Sequence, residues 1–169
     1  MNDNLFKFAF TMLVTYQLSV AWLPPAMAGL VIGAVFIVPF LLFSATSGQF
    51  ADKYDKTRIM RFVKNVEVLI MLLATAGFLA TDSAWRAFQV PLLLGCTFMM
   101  GLHSTLFGPV KFSYMPQALR ESELMGGTGM VEMGTFVAIL LGNIAGGLLV
   151  ALPGTGPLYV AIECVALAV

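Results

Sequence analysis

From Met27 to Ser47 the chain runs without one charged residue, and several other stretches are almost as apolar. A membrane-spanning helix needs about 20 such residues to cross the roughly 30 Å of hydrocarbon in a bilayer. The runs are continuous and show no two-residue alternation, which selects helices over the strands of a membrane barrel. In lipid every backbone polar group must be satisfied internally, and a helix does that alone. Composition agrees: 59% of residues are hydrophobic and 11% charged, against about 25% charged in soluble domains. The fold class read from these residues is an all-α integral membrane protein. Zero net charge gives no basic footprint for nucleic acid, which is excluded as a partner.

Six segments are predicted, at residues 5–23, 27–47, 62–81, 87–107, 124–152 and 157–169, all within a single membrane domain. The first reaches spanning length only if it continues from Leu5–Tyr16 through Gln17 to Leu23. Pro39 should kink the second, and the sixth is cut short at Val169. The expectation is therefore a chain that begins and ends inside helices. Its start, Met1-Asn2-Asp3-Asn4, is acidic where a signal peptide would be basic. Lys53, Lys56, Arg58, Arg61 and Lys64 lie together, so the positive-inside rule puts the loop at residues 48–61 in the cytoplasm. The loop at Thr81–Arg86 should then face outward. The loop from Pro109 to Glu123, with Lys111 and Arg120, should return to the cytoplasm.

A few residues carry chemistry. In Gly48-Gln49-Phe50-Ala51-Asp52-Lys53-Tyr54-Asp55-Lys56-Thr57-Arg58, a glycine is expected to end one helix and allow close approach of another. Asp52 is expected to face a helix N-terminus or pair with an arginine. An ordinary basic loop is the plainer reading. Asp3 and Lys7 share a helix face. Asp3 is either an ionisable group at membrane depth, hence a functional candidate, or a cap at an interfacial helix end. Glu132 and Asn143 are eleven residues apart, close to three turns, so both should point to one cavity-lining or interhelical face. Gly142, Gly146 and Gly147 suit close helix packing. Thr97, Gly101, Ser104 or Thr105, and Gly108 form a small polar stripe that serves either a hydrophilic path or a packing seam. His103 is the only histidine, and without clustered partners it makes no metal site. Cys96 and Cys164 read as packing residues. Gly126-Gly127-Thr128-Gly129 lacks the strand and lysine of a phosphate loop.

The Gly48–Arg58 stretch resembles the loop between helices two and three of the major facilitator superfamily, which latches the cytoplasmic side in one state of the transport cycle. Gly48, Ala51, Asp52 and Arg58 match, whereas Asp55 stands near a position where glycine is common. Three more stretches resemble the lysophospholipid transporter branch of that superfamily. They are Asn2-Asp3-Asn4-Leu5-Phe6-Lys7 in its first helix, Phe107-Gly108-Pro109-Val110-Lys111-Phe112 at the end of its fourth, and Gly129-Met130-Val131-Glu132 with Ala138 to Gly147 in its fifth. The resemblance covers nearly the whole chain, in order.

It implies an incomplete N-terminal six-helix half of a transporter whose site lies between two halves. It also implies a bacterial cytoplasmic (inner) membrane location, a lysophospholipid substrate moved by alternating access, and a partner in the missing C-terminal half. Asp3, Asn4, Lys111, Glu132 and Asn143 become candidates for headgroup or ion contacts, and Gly48, Asp52 and Arg58 for the gating loop. A coupling cation, sodium or a proton, comes only by analogy. Asn143 stands where a proline is usual in antiporters, so antiport is not inferred. No catalytic residue, cofactor or metal is assigned. An alternative is the membrane domain of a bifunctional acyltransferase/acyl-carrier-protein ligase. However, His103 is followed five residues later by Gly108 where that acyltransferase needs Asp, so such chemistry would lie beyond Val169. A generic major facilitator transporter of another small substrate and a membrane-assembly subunit complete the alternatives.

Overall fold

The structure is a computed structural model that describes residues 1–18, 20–80 and 83–169. Among the described residues there are six helices: α1 (Asn2–Tyr16), α2 (Pro25–Lys53), α3 (Lys56–Leu79), α4 (Ser83–Ala118), α5 (Glu121–Val150) and α6 (Gly156–Ala168). Four of them, α2 to α5, are long and apolar enough to cross a membrane. The chain is an all-α multi-pass membrane protein. Side chains such as Leu30, Leu41, Phe136 and Leu148 stand exposed on α2 and α5, as lipid-facing residues do when lipid replaces water as solvent.

α1 is the hub of the bundle. It packs chiefly on α5 and also touches α2, α4 and α6, while α2 lies along α4, and α3 lies against α4 and α6. Leu5, Phe6, Ala9, Phe10 and Val14 are fully buried, and the Phe6 ring meets Phe78 of α3 edge-on at 5.7 Å between centroids. Close approach depends on glycines. A Cβ at Gly142 would stand 2.6 Å from the Met1 carbonyl oxygen, and one at Gly146 would clash with the Leu5 carbonyl oxygen. A Cβ at Gly147 would press 2.8 Å from the Phe8 ring. Across the bundle, a Cβ at Gly101 of α4 would collide with the Phe36 carbonyl of α2, beside Pro39. With Thr97 and Thr105 buried and each bonded to its own helix backbone at 2.8 Å, this part of the polar stripe is a packing seam.

Several expected boundaries are corrected. The first segment does not reach Leu23: α1 stops at Tyr16, about 22 Å of helix. The tandem Pro24-Pro25 forces Leu23 and Pro24 out of helical geometry, and the Gln17 amide turns away to donate to the Val150 carbonyl at the end of α5 (3.2 Å). Ser19, Thr81 and Asp82 lie outside the described residues, so the loop expected at Thr81–Arg86 is described only from Ser83, where α4 begins. Gly48 does not end α2, which continues to Lys53, and a Cβ at Gly48 would meet nothing within 4 Å. Gly48 therefore mediates no close approach here. Nor does Pro109 begin a loop. α4 runs through Pro91, Pro109 and Pro116 to Ala118, because internal prolines are tolerated in membrane helices whose surroundings satisfy the freed carbonyls. Lys111 consequently stands on a helix.

Candidate functional site

A cavity of about 450 Å³ opens between α1, α3, α4 and α5. α1 contributes Asn2, Asp3 and Asn4, α3 contributes Glu67, α4 contributes His103, Ser104, Phe107 and Lys111, and α5 contributes Thr135 with Val131, Gly134, Ala138 and Ile139. The helix periodicity explains the α4 set: His103, Phe107 and Lys111 recur every four residues on one face. The glycine contacts of α5 on α1 bring the start of α1 to this height.

One wall carries a cation. Lys111 Nζ donates to Glu132 Oε1 and to Thr135 Oγ1, both at 3.4 Å, and lies 4.6 Å from the Phe112 ring centre. The lining from α1 and α3 is acidic. Asp3 Oδ1 accepts from Asn4 Nδ2 at 3.0 Å and from the Met1 amino group at 3.5 Å. Glu67 Oε1 accepts from Asn2 Nδ2 at 3.1 Å, and its Oε2 accepts from Lys64 Nζ at 3.2 Å. Asn2 is only 5% exposed. Ionisable groups at membrane depth are costly and are kept where they face a cavity or one another. This cavity presents a lysine to an anionic group and carboxylates to a cationic one.

Of the residues singled out in the sequence, Asp3, Asn4 and Lys111 line the cavity and Glu132 joins it through Lys111. Asn143 does not. Although Glu132 and Asn143 share a helical phase, they are about 16 Å apart along α5, and Asn143 is not among the residues that line the cavity. Gly48, Asp52 and Arg58 sit away from it, around the α2–α3 turn. Among the described residues neither Asp52 nor Arg58 forms an ion pair. Asp55 is the structural residue of that turn: it caps α3 by accepting from the Arg58 backbone N–H at 2.9 Å.

Glu67 and Asn2 were missed as site residues, and His103 was weighed only as a metal ligand; no metal-binding cluster occurs among the described residues. Two signals could have found them. Glu67 interrupts the apolar run Val66-Glu67-Val68-Leu69-Ile70, and a carboxylate there is a functional candidate by its cost alone. His103 shares the four-residue spacing of Phe107 and Lys111.

The sequence profile of the family described as transmembrane secretion effector, of the major facilitator type, matches residues 8–169. Curated relatives include the lysophospholipid transporter LplT of Escherichia coli strain SE11, 29% identical over 148 residues, which are 88% of this chain and 33% of the relative. LplT of Escherichia coli O1:K1 and of Shigella boydii serotype 18 match with the same identity and coverage. The chain thus spans about a third of the length of these relatives. No solved structure matches.

Proposed function

Because the chain belongs to the transmembrane secretion effector family of the major facilitator superfamily, we propose that it is part of a secondary transporter that moves lysophospholipids across or between leaflets of a bacterial cytoplasmic membrane. The observation that carries this reading is the cavity with Lys111 on one wall and Asp3 and Glu67 on the other. A lysophospholipid headgroup is anionic at its phosphate and, in zwitterionic forms, cationic beyond it. Lys111 would take the phosphate and the acidic wall the positive end, while the single acyl chain rests on apolar helix faces. The naming of similar proteins as lysophospholipid transporters supports the substrate class. The basic run from Lys53 to Lys64 supports a cytoplasmic α2–α3 loop, with Gly48, Asp52 and Arg58 as its gating residues. A second six-helix half completes the alternating-access machine in this reading, and a coupling cation drives it.

The test is movement of a fluorescent lysophospholipid in proteoliposomes. This chain alone is expected to give none. The longer transporter that contains it should transport, and lose at least about tenfold of its rate on Lys111→Ala, the loss of one charge-assisted contact of about 1.5–3 kcal/mol. Undiminished transport by Asp3→Ala, Lys111→Ala and Glu132→Ala alike would discard the headgroup site.

A further inference from the structure

The acidic wall holds a second device. The Glu67 carboxylate accepts from Asn2 Nδ2 and Lys64 Nζ, and both donors are also fastened to α6. Asn2 Nδ2 donates to the Cys164 carbonyl at 3.0 Å, and Lys64 Nζ to the Leu167 carbonyl at 3.2 Å. One carboxylate therefore joins α1, α3 and α6. Among the described residues, the α4 polar group nearest to it is His103, whose Nε2 stands 3.9 Å from Glu67 Oε2, beyond hydrogen-bond length. The other ring nitrogen, Nδ1, is buried and has no partner.

These positions decide the chemistry of the ring. A lone pair on Nε2 would be repelled by the carboxylate, so the neutral ring carries its hydrogen on Nε2 and its lone pair on Nδ1. Nδ1 has no partner whether it carries a lone pair or a hydrogen, so the attraction of the Glu67 anion is what favours an added proton. A proton added at Nδ1 forms one N–H bond, breaks none, and turns the ring into an imidazolium facing the Glu67 anion. Around it, Glu67 and Lys64 come from α3 and Asp3 from α1. α6 brings the backbone carbonyls of Cys164 and Leu167 to the cluster, and Lys111, further along α4, is matched by Glu132 of α5. The ring borders the central cavity and also a cavity of about 180 Å³ that runs by Phe107 to Lys64 and Met60 near the start of α3.

We propose that His103 is a proton-binding site that ties α4 to the group formed by α1, α3 and α6. With the proton on, the imidazolium closes onto Glu67 and holds α4, the helix that bears Lys111, to the other three. With the proton off, packing and the hydrogen bond from Gln89 Nε2 at the start of α4 to the Gly77 carbonyl of α3 (2.9 Å) hold it. The ligand here is the proton, so the proposal stands whether or not the cavity takes a lipid headgroup.

His103 is the sole histidine, so the ¹⁵N-histidine-labelled chain, freed of any tag, gives one imidazole to follow by NMR in lipid nanodiscs. The expected result is an Nε2–H tautomer at high pH and a single titration over the range in which imidazoles change charge. At a fixed pH in that range, Glu67→Gln should lower the ratio of protonated to neutral ring by about tenfold or more, the effect of removing an opposite charge at this distance. Lys64→Gln should raise it, and it serves as the comparison if Glu67→Gln does not fold. A ring neutral throughout, an Nδ1–H tautomer, or a titration indifferent to both variants would overturn the site. Nitroxide labels on Phe112→Cys of α4 and Ile162→Cys of α6, both at exposed positions, read the tie itself. Their distance distribution should narrow on protonation and stop responding in His103→Gln, and a distribution independent of pH would overturn the coupling to α4.

Discussion

Gly146→Ala sets helix propensity against helix packing, and the structure says which wins. An alanine methyl at Gly146 would clash with the Leu5 carbonyl oxygen and lie 3.2 Å from both the carbonyl carbon and the Cα of Leu5. These are main-chain atoms of a buried helix and cannot rotate aside, so α1 must move off α5 and disturb Leu5, Phe6 and Ala9, all fully buried. Overpacking of this kind costs about 1–3 kcal/mol. Replacing glycine by alanine inside a helix returns about 1 kcal/mol. Gly48→Ala isolates that return, because its Cβ meets nothing within 4 Å. The pair should therefore diverge: Gly48→Ala neutral or stabilised, Gly146→Ala destabilised by a net of up to about 2 kcal/mol. Titration of detergent-solubilised protein with a denaturing detergent, followed by tryptophan fluorescence, measures both midpoints. If Gly146→Ala unfolds at the same denaturant fraction as Gly48→Ala or later, α1 and α5 are not in backbone contact and the cavity geometry built on that contact fails.

Other variants probe single links. A double-mutant cycle on Lys111→Met and Glu132→Gln, read by the same unfolding assay, should give a coupling of about 0.5–1 kcal/mol, since both side chains are partly exposed; zero coupling would separate Glu132 from the site. Asp55→Ala removes the α3 cap and should cost about 1 kcal/mol, while Asp55→Asn should cost little; equal losses would point to charge rather than capping. Asn2→Ala takes one partner from Glu67 and one from the Cys164 carbonyl; its expected cost is about 1–3 kcal/mol, and it should also increase amide hydrogen exchange in α6.

What the sequence made legible follows from what membranes demand of it. Long apolar runs leave little choice but helices, so the fold class could be read directly, and the small residues at Gly142 and Gly146 pointed to a packing face. Helix ends were harder. Glycine and proline are stop signals calibrated on chains in water, and α2 passes Gly48 as α4 passes Pro109. That error moved Lys111 off its helix in the sequence reading and hid its four-residue register with His103 and Phe107. Glu67 was hidden differently. Its partners are Asn2, Lys64 and His103, and only Lys64 is a sequence neighbour, so no local pattern announces the cluster. Asn143 shows the converse: phase along a helix places a residue on a face, and height along the axis decides what that face meets.

On the reading proposed here, the two acidic groups have different work because their bonds differ. Glu132 holds Lys111 through 3.4 Å contacts between partly exposed groups, an arrangement that an arriving phosphate could replace at little cost. Glu67 is engaged on both oxygens by donors that also hold α6. Drawing it toward a headgroup would take from the buried Asn2 amide one of its two acceptors, a penalty of about 1–3 kcal/mol. Lys111 is therefore the group free to exchange partners with substrate. Glu67 stays in place as the fixed anion against which a charge on His103 is felt. A substrate assay should respond most steeply to changes at Lys111, and a proton assay to changes at Glu67. Any variant that moves both equally would mean that the two walls of the cavity act as one site.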